Sequence, residues 1–571
     1  MLISKEVELR LARWVSIGAL GVTLLVTDRV SNEPVNVGKM LLLITVAGAS
    51  FALTATSYKQ AWRENKALLS TLFVFLLISA ISIMLNKDPW ERGFFGASGR
   101  NTGLLTYTGL SVLLLATSFF RTVKSIRLIL SALLASALIN LIYCFVAISG
   151  HDIFAWKNPY NSILGTFGNP DFISAFMGIF VTALTGLLFV SRIQLKYKPL
   201  IGLLILASIY VIKQSLALQG FLVAIAGACI VIFFYLRSAT NSKWIILAYS
   251  GVVSLGGLIV LFGTLQKGPL SSLLYKPSVS YRGEYWQAGI NMGMQNPFTG
   301  VGMDSYGTFY RMFRASSAAI SPGVNVQTDT AHNVFIDIFA GIGILGFISY
   351  LVLIGLILRA SYKLAMARRA YDPLFVILFT SWFTYQLQSF ISINQIGLAV
   401  WGWVLGGALL AYSSITDRNE QLEKLIPASK EEKFKKTKKG VKAASVPISA
   451  AQALSLFIGS SLGFLIALPP FLADAKMRQA LESKDVDRIV AQANAWPIDA
   501  SRTNRIIVEL ANSDLISQAQ GLAIKSVVNF PSDYASWITL YQLTPTDSKE
   551  REVQRTKLHE LDPFNPEFAP K

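Results

Sequence analysis

Long apolar runs separated by short polar segments make up most of the chain. Thirteen runs approach the length of about 20 residues that an α-helix needs to cross a bilayer. They lie at residues 13–28, 38–56, 67–85, 103–119, 126–148, 171–190, 199–217, 219–236, 244–264, 334–358, 373–392, 396–413 and 450–472. The pattern predicts an all-α fold, a polytopic membrane helix bundle of about thirteen spans.

Lysine and arginine are concentrated in alternate loops between these runs. The basic residues are Lys59, Arg63 and Lys66; Arg121, Lys124 and Arg127; Arg192, Lys196 and Lys198; and Arg359, Lys363, Arg368 and Arg369. The loop after the twelfth run adds the stretch Lys430–Lys439. Because positive loops stay in the cytoplasm, we expect these loops and the N-terminus to be cytoplasmic. The loops 86–102, 149–170 and 265–333, and everything after the thirteenth run, are then outside.

The outside loop at 265–333 is too long to be a plain connector, since loops of that length are usually functional or carry secondary structure. Its segment Tyr281–Gln295 is predicted to form a short helix. Asn296-Pro297 and the glycines that follow are expected to end it.

The polar C-terminal tail shows a repeated turn. Three similar segments contain Pro497, Pro531 and Pro563, which are 34 and then 32 residues apart. This spacing is close to the tetratricopeptide period, and an irregular helical cap is the alternative. Such repeats usually bind a partner protein or brace a neighbouring domain.

Composition supports the membrane class. Hydrophobic residues make up 53% of the chain and charged residues 15%, against about 25% charged in soluble domains; the mean hydropathy is +0.49. The net charge of +18 does not indicate nucleic-acid binding, because the cytoplasmic loops alone account for it. Cys144 and Cys229 lie inside predicted spans and form neither a disulfide framework nor a zinc site.

No P-loop, dinucleotide fingerprint or metal-ligand cluster occurs in the sequence. We therefore expect no metal and no cofactor, and any reaction must use an already activated substrate. His332 lies where the long loop re-enters the membrane, and a neutral imidazole there is either a general base or an interfacial residue bonded to a carbonyl. Its unperturbed pKa is about 6.5. Glu284 and Asp329 are the next candidates for a base.

Arg282 opens the predicted loop helix among aromatic residues. A guanidinium binds phosphate bidentately, so Arg282 is either a diphosphate ligand or an interface anchor. Arg100, Asn169 and Lys213 are placed on the same predicted face. Ionisable side chains at the ends of spans often extend to the membrane–water interface and have no further role.

Three motifs follow one another on this face. They are Gly165-Thr-Phe-Gly-Asn-Pro170; Arg282-xxx-Trp286 leading to Asn296-Pro-Phe-Thr-Gly-Val-Gly302; and Ala331-His-Asn-Val-Phe335 followed by Gly341-Ile-Gly-Ile-Leu-Gly346. Their order and spacing resemble the O-antigen ligase and Wzy-type polymerase superfamily of bacterial envelope glycosyltransferases. The resemblance covers about residues 10–415 and leaves out the thirteenth span and the tail.

The resemblance implies an O-antigen ligase-like glycosyltransferase of polysaccharide biosynthesis in the bacterial cytoplasmic membrane. It would transfer a glycan from a polyprenyl diphosphate carrier to an acceptor hydroxyl on the outer face, with inversion and without a metal. His332 corresponds to the family's loop histidine and Arg282 to its loop arginine, as catalytic residues. The expected substrate-binding residues are Arg100, Asn169, Lys213, Gln219, Glu284, Trp286 and Asn333.

One stretch departs from the family. Many members have Ser-Arg-Gly after the seventh span, where this chain has Ser215-Leu-Ala-Leu-Gln-Gly220. Gln219 takes the place of the arginine, and Lys213 is a candidate for the missing charge.

The expected organisation is a transmembrane core at 1–415 with its catalytic loop at 265–333. A basic linker at 416–449, an additional span at 450–472 and a helical-repeat domain at 473–571 follow. The acceptor is a lipid, a glycan or a protein, so a Wzy-type polymerase and a protein O-oligosaccharyltransferase remain alternatives. A lipid or solute transporter is a different class, but the polar groups crowd the outer boundary rather than the midplane. A receptor or scaffold is a third class, and the absence of a recognisable cytoplasmic signalling domain in the sequence argues against it.

Overall fold

The structure is a computed structural model that describes residues 5–55, 65–86, 88–155, 158–264, 267–268, 271, 277–425 and 449–570. These residues form helices and loops, and no β-strand occurs among them. The all-α prediction is confirmed. The basic stretch Lys430–Lys439 lies outside the described residues.

Ten α-helices of the described residues precede the long loop. They are α1 Lys5–Leu24, α2 Asn36–Ala55, α3 Lys66–Leu85, α4 Trp90–Phe95, α5 Leu104–Ser118, α6 Val123–Ile148, α7 Pro170–Leu188, α8 Lys198–Gln214, α9 Gln219–Ala239 and α10 Lys243–Thr264. Apart from a one-turn helix at Ser316–Ala318, the described part of the loop contains two more α-helices, and the remaining helices follow it. They are α11 Pro277–Gln295, α12 Tyr306–Phe313, α13 Val334–Ala367, α14 Pro373–Ile391, α15 Ile396–Leu425, α16 Ala450–Ser483, α17 Val486–Ala493, α18 Ala500–Asn512, α19 Ile516–Asn529, α20 Tyr534–Leu543 and α21 Lys549–Leu561.

A helix occupies each of the thirteen predicted spans. Within the described residues, eleven of these helices are long and apolar enough to cross a membrane. The other two are α1, which carries several charges in its first half, and α5, which has only 15 residues. The chain is thus a multi-pass helical protein, and the count of thirteen spans stays a prediction.

Helix α16 packs directly on helix α2 of the membrane bundle. Gly459 and Gly463 of α16 face Gly48 and the backbone at Ile44 of α2, and a Cβ on any of these glycines would collide with the opposite backbone. Small residues let two membrane helices approach closely. The last predicted span is therefore joined to the bundle rather than set apart from it.

Helix α13 is broken near its start, where the sequence predicts a continuous span. Gly343 has φ 68°, and a Cβ there would meet the carbonyl of Pro297. The loop segment 297–302 pairs with the opened turn, since Val301 N donates to Ala340 O at 2.8 Å and Ile344 N donates to Pro297 O at 2.7 Å. The glycines of the second and third motifs therefore join the loop to the membrane bundle.

The tail folds into helix pairs separated by similar turns. Asp499 and Asp533 begin successive pairs as N-caps, and Asn565 caps the final 3-10 turn Pro566–Phe568; each accepts a hydrogen bond from the backbone two or three residues on. Their numbers repeat the 34- and 32-residue spacing of the prolines. We call the segments 495–497, 529–531 and 561–563 the docking turns.

The docking turns face the loops of the membrane bundle. Trp496 donates to Glu91 at 3.2 Å and packs against Phe95. Phe530 lies beside Asp88 and Pro89, and Asp562 pairs with arginines of the long loop. This edge of the tail thus contacts the protein's own loops, including the long loop.

Candidate active site

The described part of the long loop forms a small apolar core of its own. Tyr285 and Met292 of α11 pack with Tyr306 and Tyr310 of α12 and with Ala331. The helix α11 ends at Gln295 as predicted and begins four residues earlier than predicted. Tyr306 also donates its hydroxyl proton to the Tyr285 carbonyl at 2.5 Å. The two loop helices therefore act as a rigid support for the residues that lie over them.

His332 is held by the short segment before α13. Its backbone is left-handed, with φ 53°, and its N–H donates to the Thr330 hydroxyl at 2.9 Å. The preceding Ala331 N–H donates to Asp337 Oδ1 at 2.8 Å. The imidazole is half-buried and stacks on the Tyr285 ring at 5.9 Å between centroids. Its orientation is therefore set by local hydrogen bonds of the backbone and by the tertiary contact with Tyr285.

Burial and the charges of Arg282 and Arg100 lower the pKa of His332 to about 4. Desolvation and nearby cations both disfavour the imidazolium. The ring is therefore neutral around pH 7, as a general base requires. The unperturbed pKa expected from the sequence is too high, since the sequence reveals neither the burial of the ring nor the two guanidinium groups that act on it.

Arg282 lies in the first half of α11, half-buried, with its charge acting on His332. Among the described residues, its guanidinium has no hydrogen bond or ion pair. Burial lowers the pKa of Arg282, and the charge of Asp171 partly opposes that effect. A half-buried cation without a paired carboxylate is suited to an anionic ligand.

Arg100 is already engaged with a carboxylate. Its Nε lies 3.4 Å from Oδ1 of Asp304, and both side chains are largely buried. Asp304 also accepts hydrogen bonds from Ala97 N at 2.7 Å and from the Thr102 hydroxyl at 3.0 Å. Asp304 thus ties the loop 96–102 to the long loop. Sequence reasoning missed it, although it directly follows the Gly300-Val-Gly-Met segment.

The first motif also contributes to this face. Asn169 is the N-cap of α7, accepting from Asp171 N at 2.9 Å, and the buried Gln219 donates to the Asp171 carbonyl. The other amide atom of Gln219, Oε1, has no hydrogen-bond partner among the described residues. Since Asp171 acts on Arg282, the structure brings Asn169 and Gln219 to the Arg282 side of the site.

The remaining predicted site residues have separate environments. Glu284 accepts from the Ser317 hydroxyl at 2.9 Å. Trp286 packs edge-on against Phe390. Asn333 is the N-cap of α13, accepting from Phe335 N at 3.0 Å. Lys213 is exposed at the end of α8, and no described contact joins it to the others, so its role as a substitute charge stays a prediction.

The arrangement combines a neutral imidazole, an unpaired arginine and a second, tethered arginine. A cavity of about 30 Å³ beside them is lined by Arg100, Asp304, Asp329 and Asp337. Such a site can take a proton from a hydroxyl while a cation stabilises negative charge on a leaving group.

Comparison with known proteins adds to this geometry. Residues 201–351 match the family model described as O-antigen ligase. A search of curated proteins finds no match. The matched region runs from α8 through the long loop into α13, and it contains both Arg282 and His332. This match confirms, for residues 201–351, the resemblance seen in the sequence: that region is similar to the O-antigen ligase family.

Proposed function

We propose that this protein transfers a glycan from a polyprenyl diphosphate carrier to an acceptor hydroxyl, on the outer face of the bacterial cytoplasmic membrane. The observation that carries the proposal is that the charge of Arg282, which has no ion pair among the described residues, acts on the neutral imidazole of His332. The basic loops on the opposite face support the orientation.

Arg282 is the main ligand of the donor diphosphate. Its planar fork matches two phosphate oxygens, and the charge of Asp171 acts on it in the absence of a ligand. Arg100 is the weaker candidate, because Asp304 already neutralises part of its charge. Gln219 provides a hydrogen-bonding amide where many family members have an arginine. The diphosphate therefore relies on fewer cations here.

His332 is the base in this reaction. The acceptor oxygen attacks the anomeric carbon, the bond from that carbon to the phosphate oxygen breaks, and the diphosphate leaves with the electron pair. The acceptor's proton goes to the free nitrogen of the imidazole. Direct attack inverts the anomeric centre.

Donor binding makes His332 a stronger base. Burial, and after it the two positive charges, hold the pKa of His332 low in the free protein, and the bound diphosphate offsets those charges. An opposite charge nearby favours the protonated imidazole. The proton therefore moves most readily to His332 when the donor is in place.

The tail braces the active loop in this proposal, and its helix pairs are tetratricopeptide-like. The docking turns contact the protein's own loops, so these contacts do not serve to bind another protein. A protein partner or a protein acceptor would bind the outer edge of the tail instead.

Transfer by purified protein tests the proposal. We expect a polyprenyl-diphosphate glycan, supplied with lipid, glycan and peptide acceptors in separate reactions, to yield product with one of them and to release carrier diphosphate. A lipid acceptor indicates a ligase, elongation of the donor glycan a polymerase, and a peptide acceptor a protein O-oligosaccharyltransferase. Movement of the intact donor across vesicles without bond cleavage contradicts the proposal and indicates a transporter.

A further inference from the structure

The helix α11 of the long loop exposes a row of large apolar side chains. Ile290, Met294 and Phe298 follow one another at four-residue intervals along α11 and the turn after it, so they lie on one side. Met294 is 68% and Phe298 71% exposed. Large apolar side chains that are exposed side by side mark sites of contact with proteins, ligands or membranes. We call these three residues the loop stripe.

No charged residue interrupts the sequence around the loop stripe. From Tyr285 to Met303 the chain contains no aspartate, glutamate, lysine or arginine, and the next charged residue is Asp304. A helix that faces water normally carries charged or polar residues on its exposed side. The tail helix α21 does so, since it begins with Lys549-Glu-Arg-Glu552. The composition of α11 therefore favours an apolar environment for the loop stripe.

Helix α11 runs beside the first turns of α13, and in the same direction. A Cβ on Gly289 would collide with Ile336, and one on Gly293 would collide with Phe339. One turn further on, the carbonyl of Pro297 accepts a hydrogen bond from the opened turn of α13. Because α13 is long and apolar enough to cross a membrane, α11 runs beside it towards the bilayer.

The outer end of α3 marks the depth that the segment after α11 reaches. Ser82, in the last turn of α3, donates its hydroxyl proton to the carbonyl of Thr299 at 2.5 Å. Asn86, the residue directly after α3, donates to the carbonyl of Val301 at 2.7 Å. Since α3 is itself long and apolar enough to span a membrane, Phe298 lies about one helical turn, or about 5 Å, inside the outer end of a span.

Exposed apolar side chains of the two membrane helices adjoin the loop stripe. Met84 of α3 is exposed, as are Leu345 and Ile348 of α13 just after its break. The backbone of Phe298 packs against Gly343, two residues before Leu345. The loop stripe therefore continues the apolar surface of the spanning helices and is not an isolated patch on a water-facing loop.

We propose that the loop stripe lies in the outer leaflet of the bilayer and contacts the acyl chains of the lipids there. Acyl chains fit better than a protein partner, because the stripe continues a surface that spans the membrane. A helix at the membrane interface typically buries its apolar face by about 5–10 Å, which agrees with the depth given by α3. The long loop is thereby anchored to the membrane as well as to the tail.

The anchored end of α11 sets the height of Arg282 above the membrane. Arg282 lies near the other end of the helix, about 18 Å from Met294 along the axis at about 1.5 Å per residue. The inference goes beyond the proposed function and does not depend on it.

Collision rates of a nitroxide spin label measure its depth, because O2 concentrates among acyl chains and a polar nickel chelate stays in water. A protein without Cys144 and Cys229 is reconstituted in vesicles of phosphatidylethanolamine and phosphatidylglycerol. Single labels are placed with Met294→Cys and Phe298→Cys, and both positions are exposed, so neither label disturbs a core. Gln287→Cys places a third label on the same exposed side of α11, nearer to Arg282.

Two further labels are the references. Leu345→Cys reports an exposed position on a membrane-spanning helix, and Ser316→Cys an exposed position in the long loop. We expect O2 to collide more often than the nickel chelate at 294 and 298, as at 345, and less often at 316. The ratio of O2 to nickel collisions should rise from 287 to 294, since α11 approaches the bilayer in that direction.

Nickel collisions at 294 and 298 that match those at 316 place the loop stripe in water and overturn the proposal. Slow collisions with both reagents also overturn it, because a protein surface then covers the stripe. The labels are read without a donor, so the result is independent of transfer. A water-facing stripe in a protein that transfers glycan leaves the proposed function intact, and a lipid-facing stripe in a protein that transfers nothing overturns the proposed function alone.

Discussion

The carboxylate of Asp562, in the third docking turn, lies 2.7 Å from Nη2 of Arg314 in the long loop, and both side chains are fully buried. Arg311 pairs with the same carboxylate at 3.0 Å. Arg311 belongs to α12, where Tyr310 packs edge-on against Tyr285, the ring on which His332 stacks. The tail is thus connected to the candidate base through one ion pair and a series of aromatic contacts.

Removing Asp562 should be severely destabilising. Asp562→Ala leaves two buried guanidinium groups without their carboxylate, and breaking a buried pair in this way costs about 3–5 kcal/mol. We expect a lower Tm and loss of transfer activity. Asp547→Ala, at an exposed position in the same tail, is the control and should unfold at the wild-type temperature. An unchanged Tm for Asp562→Ala means that the tail does not brace the loop.

Arg282 should be required for transition-state stabilisation. Both Arg282→Lys and Arg282→Ala should lower kcat/KM, by an amount that corresponds to about 2–4 kcal/mol of lost transition-state stabilisation. Lysine should not rescue the activity, because a point charge does not reproduce a bidentate fork. Steady-state kinetics with a polyprenyl diphosphate donor measure the effect. Arg488→Lys, at an exposed tail position, should behave as wild type. Full turnover by Arg282→Lys at normal expression reduces Arg282 to an interface anchor.

His332→Ala should nearly abolish transfer, because a general base contributes about 10²–10⁴-fold in rate. His332→Gln should be equally impaired, since an amide keeps a hydrogen bond but takes up no proton. Donor binding should survive in both, because the arginines hold the diphosphate. His151→Gln, on an exposed loop, is the control. A Gln variant with wild-type rates assigns His332 to acceptor positioning, and an Ala variant that binds no donor moves the search for the base to Glu284 and Asp329.

The pH dependence should reflect the depressed pKa of His332. Because that pKa is about 4 in the folded protein, kcat/KM should stay level from neutral pH and fall only as pH drops towards 4. In the unfolded protein the imidazole has a pKa of about 6.5, so it takes up a proton at a higher pH than in the folded protein. The contribution of His332 to folding stability should therefore fall as the pH drops from 6.5 to 4. Rate and unfolding profiles of wild type and His332→Gln measure both effects. A wild-type rate that falls near pH 6.5 contradicts the buried setting.

The long loop should be accessible from outside the cell. In a protein without Cys144 and Cys229, a cysteine at the exposed Ser316 should react with a membrane-impermeant maleimide in intact cells. A cysteine at the exposed Lys363, near the basic C-terminal end of α13, should react only after permeabilisation. The reverse labelling pattern inverts the topology and removes the proposed mechanism.

The sequence by itself determined where the helices lie. Apolar runs are local, and an apolar run in a bilayer must satisfy its backbone hydrogen bonds internally, so all thirteen predicted spans coincide with helices, eleven of which are long and apolar enough to cross a membrane. The end of α11 at Gln295 follows equally from the local Asn296-Pro297 pair. The roles of Asn169 and Asn333 as N-caps were also available from sequence, since asparagine directly before a helix commonly caps it.

The tertiary structure alone decided which charges meet. Asp562 and Arg314 are 248 residues apart, and no local pattern marks a partner at that distance. The same holds for Arg100 and Asp304, for the break at Gly343, and for the guanidinium groups that depress the pKa of His332. A pKa and an ion pair depend on burial and on groups brought together by packing, whereas the hydrophobic period reports only the residues nearby in the chain.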